Sequence, residues 1–366
     1  MPPSRTRLAI VGTVGLPPRY GGFETLAARL VEAAAARGAA DRITVWCSGP
    51  QSGDDRPTHW MGAHLRYLPL RGNGVHSIAY DALSLRQAAR SGHDVALLLG
   101  VSGASALPLI RATSAMRIIS HIDGIEWRRP KWGPVARAVL RRSEAMAVRW
   151  SDHVIADHPD ITTHVRQSYG RAPVEIAYGH ETPAPSPPAA IADLGLPDRY
   201  ALAIARAEPD NNLALLLEAF AEGQTLPLVI LSNWQTNAYG RGLLARFGRH
   251  PALRLLDAEY DPGRLGAIRE GATVYLHGHE AGGTNPSLVE MMGHGRPIAA
   301  YDCGFNRSVT EGKAAYFDSV ETLRAVLPAI AEGPEAAASG TALQEIARRR
   351  YRWSEVTDAY FDLLGF

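Results

Sequence analysis

The most constraining feature of this chain is an alternation of short apolar runs and helix-patterned segments that is completed twice. In the first half, residues 7–11, 43–47, 65–68, 94–99, 117–121 and 154–156 are rich in β-branched and aliphatic residues and predict strands. Several lack polar alternation, as strands covered on both faces do. Helical patterning fills 23–37, 77–91, 134–150 and 160–169 between them. Residues 181–190 interrupt the pattern with Pro183, Pro185, Pro187 and Pro188, which reads as a stiff, extended linker. The alternation then restarts, with strands at 200–205, 226–231, 253–256, 273–276, 297–300 and 314–317 and helices at 212–221, 239–247, 262–270 and 286–294. Two further helices are expected at 338–350 and 354–364. A β-α-β-α order implies an α/β fold with parallel sheets. The expectation is two Rossmann-like, doubly wound domains facing each other across a cleft, with ligands at the C-terminal strand edges. The boundaries fall at 1–182, a linker 183–195, a second domain 196–350 and a terminal helix 351–366.

Composition narrows the class. Of 366 residues, 46% are hydrophobic and 20% charged, which excludes global disorder. No run of about 18 apolar residues could form a membrane-spanning helix. The N-terminus leads into four apolar residues, Leu8 to Val11, before Gly12, so a first strand is expected there rather than a signal peptide. Cys47 and Cys303 give neither a disulfide framework nor metal spacing, and a reducing cytosol is the default. A formal net charge of +1 argues against a globally basic nucleic-acid binder.

The strongest local signal is Gly282-Gly283-Thr284-Asn285-Pro286-Ser287-Leu288-Val289-Glu290, which follows a strand. Asn285 suits an N-cap and Pro286 a first helical residue. The amides of Thr284, Asn285 and Ser287, with the helix dipole, suit a diphosphate, and Glu290 could take ribose hydroxyls. The same residues would equally make a helix start that is merely well capped. In the first half, Gly12-Thr13-Val14-Gly15 ends strand 1, and Tyr20-Gly21-Gly22-Phe23-Glu24 opens the first helix. Val14 occupies the second-glycine position of the dinucleotide fingerprint and the second strand ends in Cys47-Ser48, so a nicotinamide dehydrogenase is disfavoured. Gly21-Gly22 would let a pyrophosphate approach, or form a plain Gly-rich turn. Arg206 ends the first strand of the second domain, where a guanidinium would neutralise a leaving diphosphate; a salt bridge to Glu208 or Asp210 is the alternative. His121, Asp123 and Glu126 cluster at another strand end as acid–base candidates. No D-x-D, H-E-x-x-H or C-x-x-C occurs, and no protein-built metal site is expected.

With these motifs placed, the chain resembles retaining nucleotide-sugar glycosyltransferases of the GT-B type, within the family 4-like group. It is most similar to bacterial rhamnosyltransferase-like proteins that open with Y-G-G-F-E-T. The similarity runs through Val11-Gly12-Thr13, Tyr20 to Thr25, Asp123 to Trp127 with Lys131-Trp132-Gly133, and Ala205-Arg206 with Glu208-Pro209 and Asn211-Asn212. It continues through Asn233-Trp234, Tyr239-Gly240-Arg241, Leu256-Asp257 and His277 to Glu290. The resemblance implies a nucleotide-sugar donor held mainly by the second domain, with Arg206 and Asn211 among the donor contacts. Gly283–Ser287 would cradle the diphosphate and Glu290 bind the ribose, while Gly21 and Gly22 close on the donor. Tyr20, Phe23, Glu24 and Trp127 are acceptor-side candidates, no cofactor or metal is required, and the final helix crosses back to the first domain. Wider relatives carry a lysine where Asn211-Asn212 stand, and space two glutamates eight apart where Glu280 and Glu290 are ten apart.

The expected reaction moves a hexose or deoxyhexose, rhamnose-like by resemblance, to a hydroxyl of a glycan, glycolipid or small molecule with retention. Arg206 would serve catalysis, with Asp123, Glu126 and His121 as the other catalytic candidates. From Trp127 to Trp150 the chain carries a net charge of +6. On a helix, Val135, Val139, Met146 and Trp150 would share one face and Arg137 and Arg141 another. This segment is either a core-packed helix with a solvated basic face or a dock for anionic membrane that presents a lipid-linked acceptor. The latter would put the protein at the inner face of the membrane. A nucleotide-sugar isomerase and a non-catalytic nucleotide-sugar binder are the competing readings.

Overall fold

The computed structural model describes residues 6–18, 21–49, 56–129, 132–181, 187–223 and 226–366. Pro183 and Pro185 of the expected linker lie outside the described residues, as do Tyr20 and Lys131. Just beyond them, Pro188–Leu194 forms a 3-10 helix rather than an extended segment. The chain divides into two compact units. The first comprises Met1–Arg128, Trp132–Tyr178 and Trp353–Phe366, and the second Arg129–Lys131 and Gly179–Arg352.

In the first unit the strands are β1 (Leu8–Val11), β2 (Ile43–Ser48), β3 (His59–Trp60), β4 (Ala63–Leu68), β5 (Val95–Leu99), β6 (Arg117–Ile122), β7 (His153–Ala156) and β8 (Val174–Glu175). Among the described residues they form one sheet in the order β3-β4-β2-β1-β5-β6-β7-β8. Every pairing is parallel except the β3–β4 hairpin at one edge. All four residues of β1 and all five of β5 are buried, as their unbroken apolar runs require. Helix Gly22–Ala36 buries Leu26, Ala27, Leu30, Val31 and Ala34, a stripe at helical spacing. The terminal helix Trp353–Leu364 also belongs to this unit. Trp353 meets the Tyr178 ring edge-on at 4.7 Å, and Arg117 donates to the carbonyls of Leu363 and Leu364 at the helix end.

In the second unit the strands are β9 (Ala201–Ile204), β10 (Leu228–Ser232), β11 (Leu253–Asp257), β12 (Val274–His277), β13 (Ile298–Tyr301) and β14 (Ala315–Phe317). They run parallel in the order β11-β10-β9-β12-β13-β14, which counted within the unit is 3-2-1-4-5-6. This is the order of doubly wound nucleotide-binding sheets, and the chain reverses direction across the sheet between its first and fourth strands. Leu213, Leu216, Leu217 and Phe220 pack with Leu228, Ile230, Val274 and Leu276 in the core of this unit. A fully buried side chain of this size contributes roughly 1.5–3 kcal/mol.

The helix at 134–150 has the expected limits, Pro134–Trp150, but not the expected face. Its buried residues are Ser143, Glu144, Ala147 and Val148. Val135 is 79% and Val139 42% exposed, while Met146 and Trp150 pack against the core of the first unit. The first two turns stand clear because Arg137, Arg141 and Arg142, whose charges need water, interleave with those valines. Among the described residues no helix is long and apolar enough to cross a membrane.

Candidate functional site

Ligands of doubly wound sheets bind beyond the C-terminal strand ends where the strand order reverses. In the second unit that point lies at β9 and β12, neighbours in the sheet, and the strongest sequence motifs leave these two strands. Two hydrogen bonds fasten the two loops together, and a third braces the first loop on itself. Asn212 Nδ2 donates to Gly278 O at 3.0 Å, Glu280 N donates to Asp210 O at 3.1 Å, and Asn211 Nδ2 turns back to Arg206 O at 2.9 Å. Asn212 is left-handed (φ 52°), a conformation asparagine tolerates better than most residues. A Cβ on Gly278 would lie 2.3 Å from Asn211 O, so only glycine permits this approach. Asn211 itself is buried and spent on its own loop, so it braces the site rather than facing a ligand.

Arg206 is exposed and, among the described residues, makes neither of the salt bridges its position allows. Asp210 is engaged by Arg129 at 2.7 Å instead. Beside Arg206, burial and the guanidinium hold the His279 imidazole down to about 3. His279 stacks on His277 at 4.4 Å and 12°, and His277, fully buried, is held well below the usual range by burial. Neither imidazole carries charge at neutral pH, so Arg206 supplies the cation of this loop pair. His279 stands two residues after His277, and neither histidine marks a site in the sequence until its neighbours in the fold are known.

Asn285 N-caps helix Pro286–Gly293 without a side-chain bond, and Gly282 (φ 137°) lies against the Asn285 side chain. The amides of Leu288 and Val289 close onto Asn285 O at 3.1 and 3.3 Å. Pro286 has no N–H, which leaves the Ser287 amide as a first-turn donor without a helical acceptor. Gly283 and Thr284 are buried beside it. Glu290, one turn in, forms an ion pair with Arg269 and stays half-buried. The site therefore combines a guanidinium without an ion pair among the described residues, a helix N-terminus whose Ser287 amide has no helical acceptor, and an oriented carboxylate. These suit, in that order, a diphosphate charge, its oxygens and a polyol.

In the first unit the strand order reverses at β1 and β5. Gly12 (φ 97°) follows β1, and a Cβ there would lie 2.1 Å from Leu99 O at the end of β5. Gly21 N-caps the helix that Gly22 opens, again without a side-chain bond. Glu24, expected on the acceptor side, is turned inward instead. It is buried, and its carboxylate accepts the Val14 amide at 2.6 Å, tying the glycine loop to the helix start. Phe23 packs edge-on against His121 at 5.3 Å. Asp123 is exposed, Glu126 accepts from Trp132 Nε1 at 2.9 Å, and Trp127 Nε1 donates to Glu144 at 3.1 Å. The structure thus groups Phe23 with His121 and holds Glu126 and Trp127 in other bonds.

Burial also holds His121 down to about 3 and His294 to about 4. These histidines bind fewer protons folded than unfolded between roughly pH 4 and 6.5, so stability rises with pH across that window. The Tm at pH 5 is expected to fall more than ~5 °C below that at pH 7. Equal values at the two pH values in a thermal melt would contradict these buried, neutral assignments.

Comparison with known proteins adds the following. A model for a domain of unknown function, DUF1972, matches residues 5–181. No curated protein matches the chain in sequence. Sucrose-phosphate synthase from Thermosynechococcus elongatus superposes with a TM-score of 0.82 at 15% identity, covering 98% of each chain. The chain has the GT-B fold of glycosyltransferases. Anabaena HepE in complex with UDP and glucose gives 0.73 at 15% identity and 98% of each chain. The catalytic domain of Arabidopsis thaliana starch synthase IV, bound to ADP and acarbose, gives 0.72 at 14% identity and 99% of each chain.

Proposed function

We propose that the protein is a glycosyltransferase that uses a nucleoside-diphosphate sugar. The observation that carries this reading is the loop pair at β9 and β12. Arg206, exposed and without an ion pair among the described residues, and the N-terminus of helix Pro286–Gly293 with its Ser287 amide follow these two neighbouring strands, at the reversal point of a 3-2-1-4-5-6 sheet. Solved proteins of this fold are complexed with UDP and glucose or with ADP.

In this reading the diphosphate leaves with its charge met by Arg206 and the amides of Thr284, Asn285 and Ser287, each well-placed donor worth about 3 kcal/mol. The sequence holds no D-x-D, and the proposed reaction needs no metal. Glu290, oriented by Arg269, takes the ribose hydroxyls. The sugar is a hexose or deoxyhexose, rhamnose-like by resemblance, transferred with retention to a hydroxyl. The departing phosphate oxygen removes the acceptor proton, or Asp123 does so as the exposed carboxylate of its group. The test is a panel of nucleoside-diphosphate sugars with and without acceptors, followed for release of the diphosphate. Release that rises with acceptor supports transfer. An epimerised donor would indicate an isomerase, and binding without turnover a non-catalytic binder.

The acceptor is lipid-linked in this proposal, and the protein works at the inner face of the membrane. Exposed Val135 and Val139 alternate with Arg137, Arg141 and Arg142, while the one acidic residue of the helix, Glu144, is buried. The outward surface is therefore basic and apolar together, which suits anionic lipid. Vesicles rich in anionic lipid are expected to sediment the wild type at low salt. The triple variant Arg137→Glu, Arg141→Glu, Arg142→Glu should stay in solution, and equal sedimentation of both would remove the membrane from the proposal.

A further inference from the structure

In the first unit, Tyr360 of the terminal helix reaches His121 at the end of β6, 239 positions away in sequence. Tyr360 Oη lies 3.0 Å from His121 Nδ1, and both side chains are buried. Burial keeps the imidazole neutral, and burial with the nearby Asp157 and Asp123 carboxylates keeps the phenol protonated. The pair thus holds one proton on the ring and one on the phenol.

Where the ring proton sits follows from the bonding. Among the described residues, Tyr360 Oη has no hydrogen-bond partner other than His121 Nδ1. A proton on Nδ1 would make the phenol an acceptor and strand its own buried O–H, at a cost of roughly 1–3 kcal/mol. With the phenol donating to Nδ1, the hydroxyl is satisfied and the ring proton stands on Nε2. Nε2 is itself buried and has no partner among the described residues. A polar atom held this way, beside Phe23 and the helix that begins at Gly22, is poised for an acceptor the protein does not supply.

We infer that Tyr360 is a positioning residue that fixes His121 as an Nε2–H donor, aimed at a substrate oxygen, and so removes it from use as a base. The substrate end of this inference rests on the glycosyltransferase reading. The tautomer end does not.

The test separates the two. Histidine-labelled protein is examined by long-range proton–nitrogen correlation, with His121→Gln assigning the resonance. In the wild type, Nδ1 should appear as the bare nitrogen and Nε2 as the protonated one, and Tyr360→Phe should mix the tautomers. A proton on Nδ1 in the wild type, or an unchanged tautomer in a folded Tyr360→Phe variant, overturns the proposal whether or not the protein transfers sugar. Should Tyr360→Phe not fold, the wild-type spectrum still decides. Once turnover is established, His121→Gln, which offers an N–H but no basic nitrogen, should lower kcat/KM by roughly tenfold. A loss of about 10²–10⁴-fold in that variant would instead mark the ring as a base.

Discussion

Replacing Arg206 by alanine should lower kcat by about 100-fold while leaving the melting temperature within a degree or two. The magnitude follows from its place as the free cation at the β9–β12 loop pair, where charge grows as a diphosphate leaves. The fold should survive because the side chain is exposed and, among the described residues, carries no ion pair. Arg206→Lys keeps the charge but loses the planar fork, so it should recover only part of the activity. Glu290→Ala should cost roughly tenfold or more. Unlike Arg206→Ala, it also strands Arg269, so some loss of stability should accompany it. Steady-state kinetics beside thermal melts would separate the two. Near-normal turnover in both variants would remove the assignment.

The largest stability effect is expected at Glu144. Its carboxylate is almost fully buried on helix Pro134–Trp150 and accepts from Trp127 Nε1 at 3.1 Å, Tyr169 Oη at 2.7 Å and His164 Nε2 at 2.7 Å. Ser168 Oγ then meets His164 Nδ1 at 3.2 Å. Glu144→Ala would strand these donors in a dry cavity and cost about 3–5 kcal/mol. A fall in Tm of about 10 °C should follow. Glu144→Gln, which keeps one acceptor oxygen, should cost less than half as much. Because Trp127 is one of the stranded partners, the alanine variant should also loosen the exposed turns bearing Val135 and Val139. A melt within 2 °C of the wild type would show that the network contributes little.

Much of this could be read before any coordinates. Each expected strand is present within two residues of its expected limits, because continuous apolar runs flanked by glycine and polar turns have few other solutions. Two parallel-sheet α/β units follow from repeating that alternation twice. What escaped was short or locally contradictory. The strands β3 and β8 have two residues each, too few for a periodicity, and helix Val320–Glu332 carries Pro328 inside it. That helix forms nonetheless because Ser319 and Thr322 build a capping box and Leu323 and Leu327 bury its face.

At the site, the split was between residue type and orientation. Arg206 and the 282–290 motif stand at the strand ends where their spacing put them. Asn211 and Glu24 have suitable chemistry but are turned into the protein, because nearby backbone groups needed partners. No sequence pattern reports that choice. Nor could sequence join His121 to Tyr360, whose contact exists only once the terminal helix has joined the first unit.

The most direct measurement is a structure of the protein with a bound nucleoside diphosphate. The diphosphate is expected against the amides of Thr284, Asn285 and Ser287 with the Arg206 guanidinium on its oxygens and the ribose at Glu290. A nucleotide bound elsewhere with these groups untouched, or no binding at millimolar nucleotide, would contradict the proposed donor site.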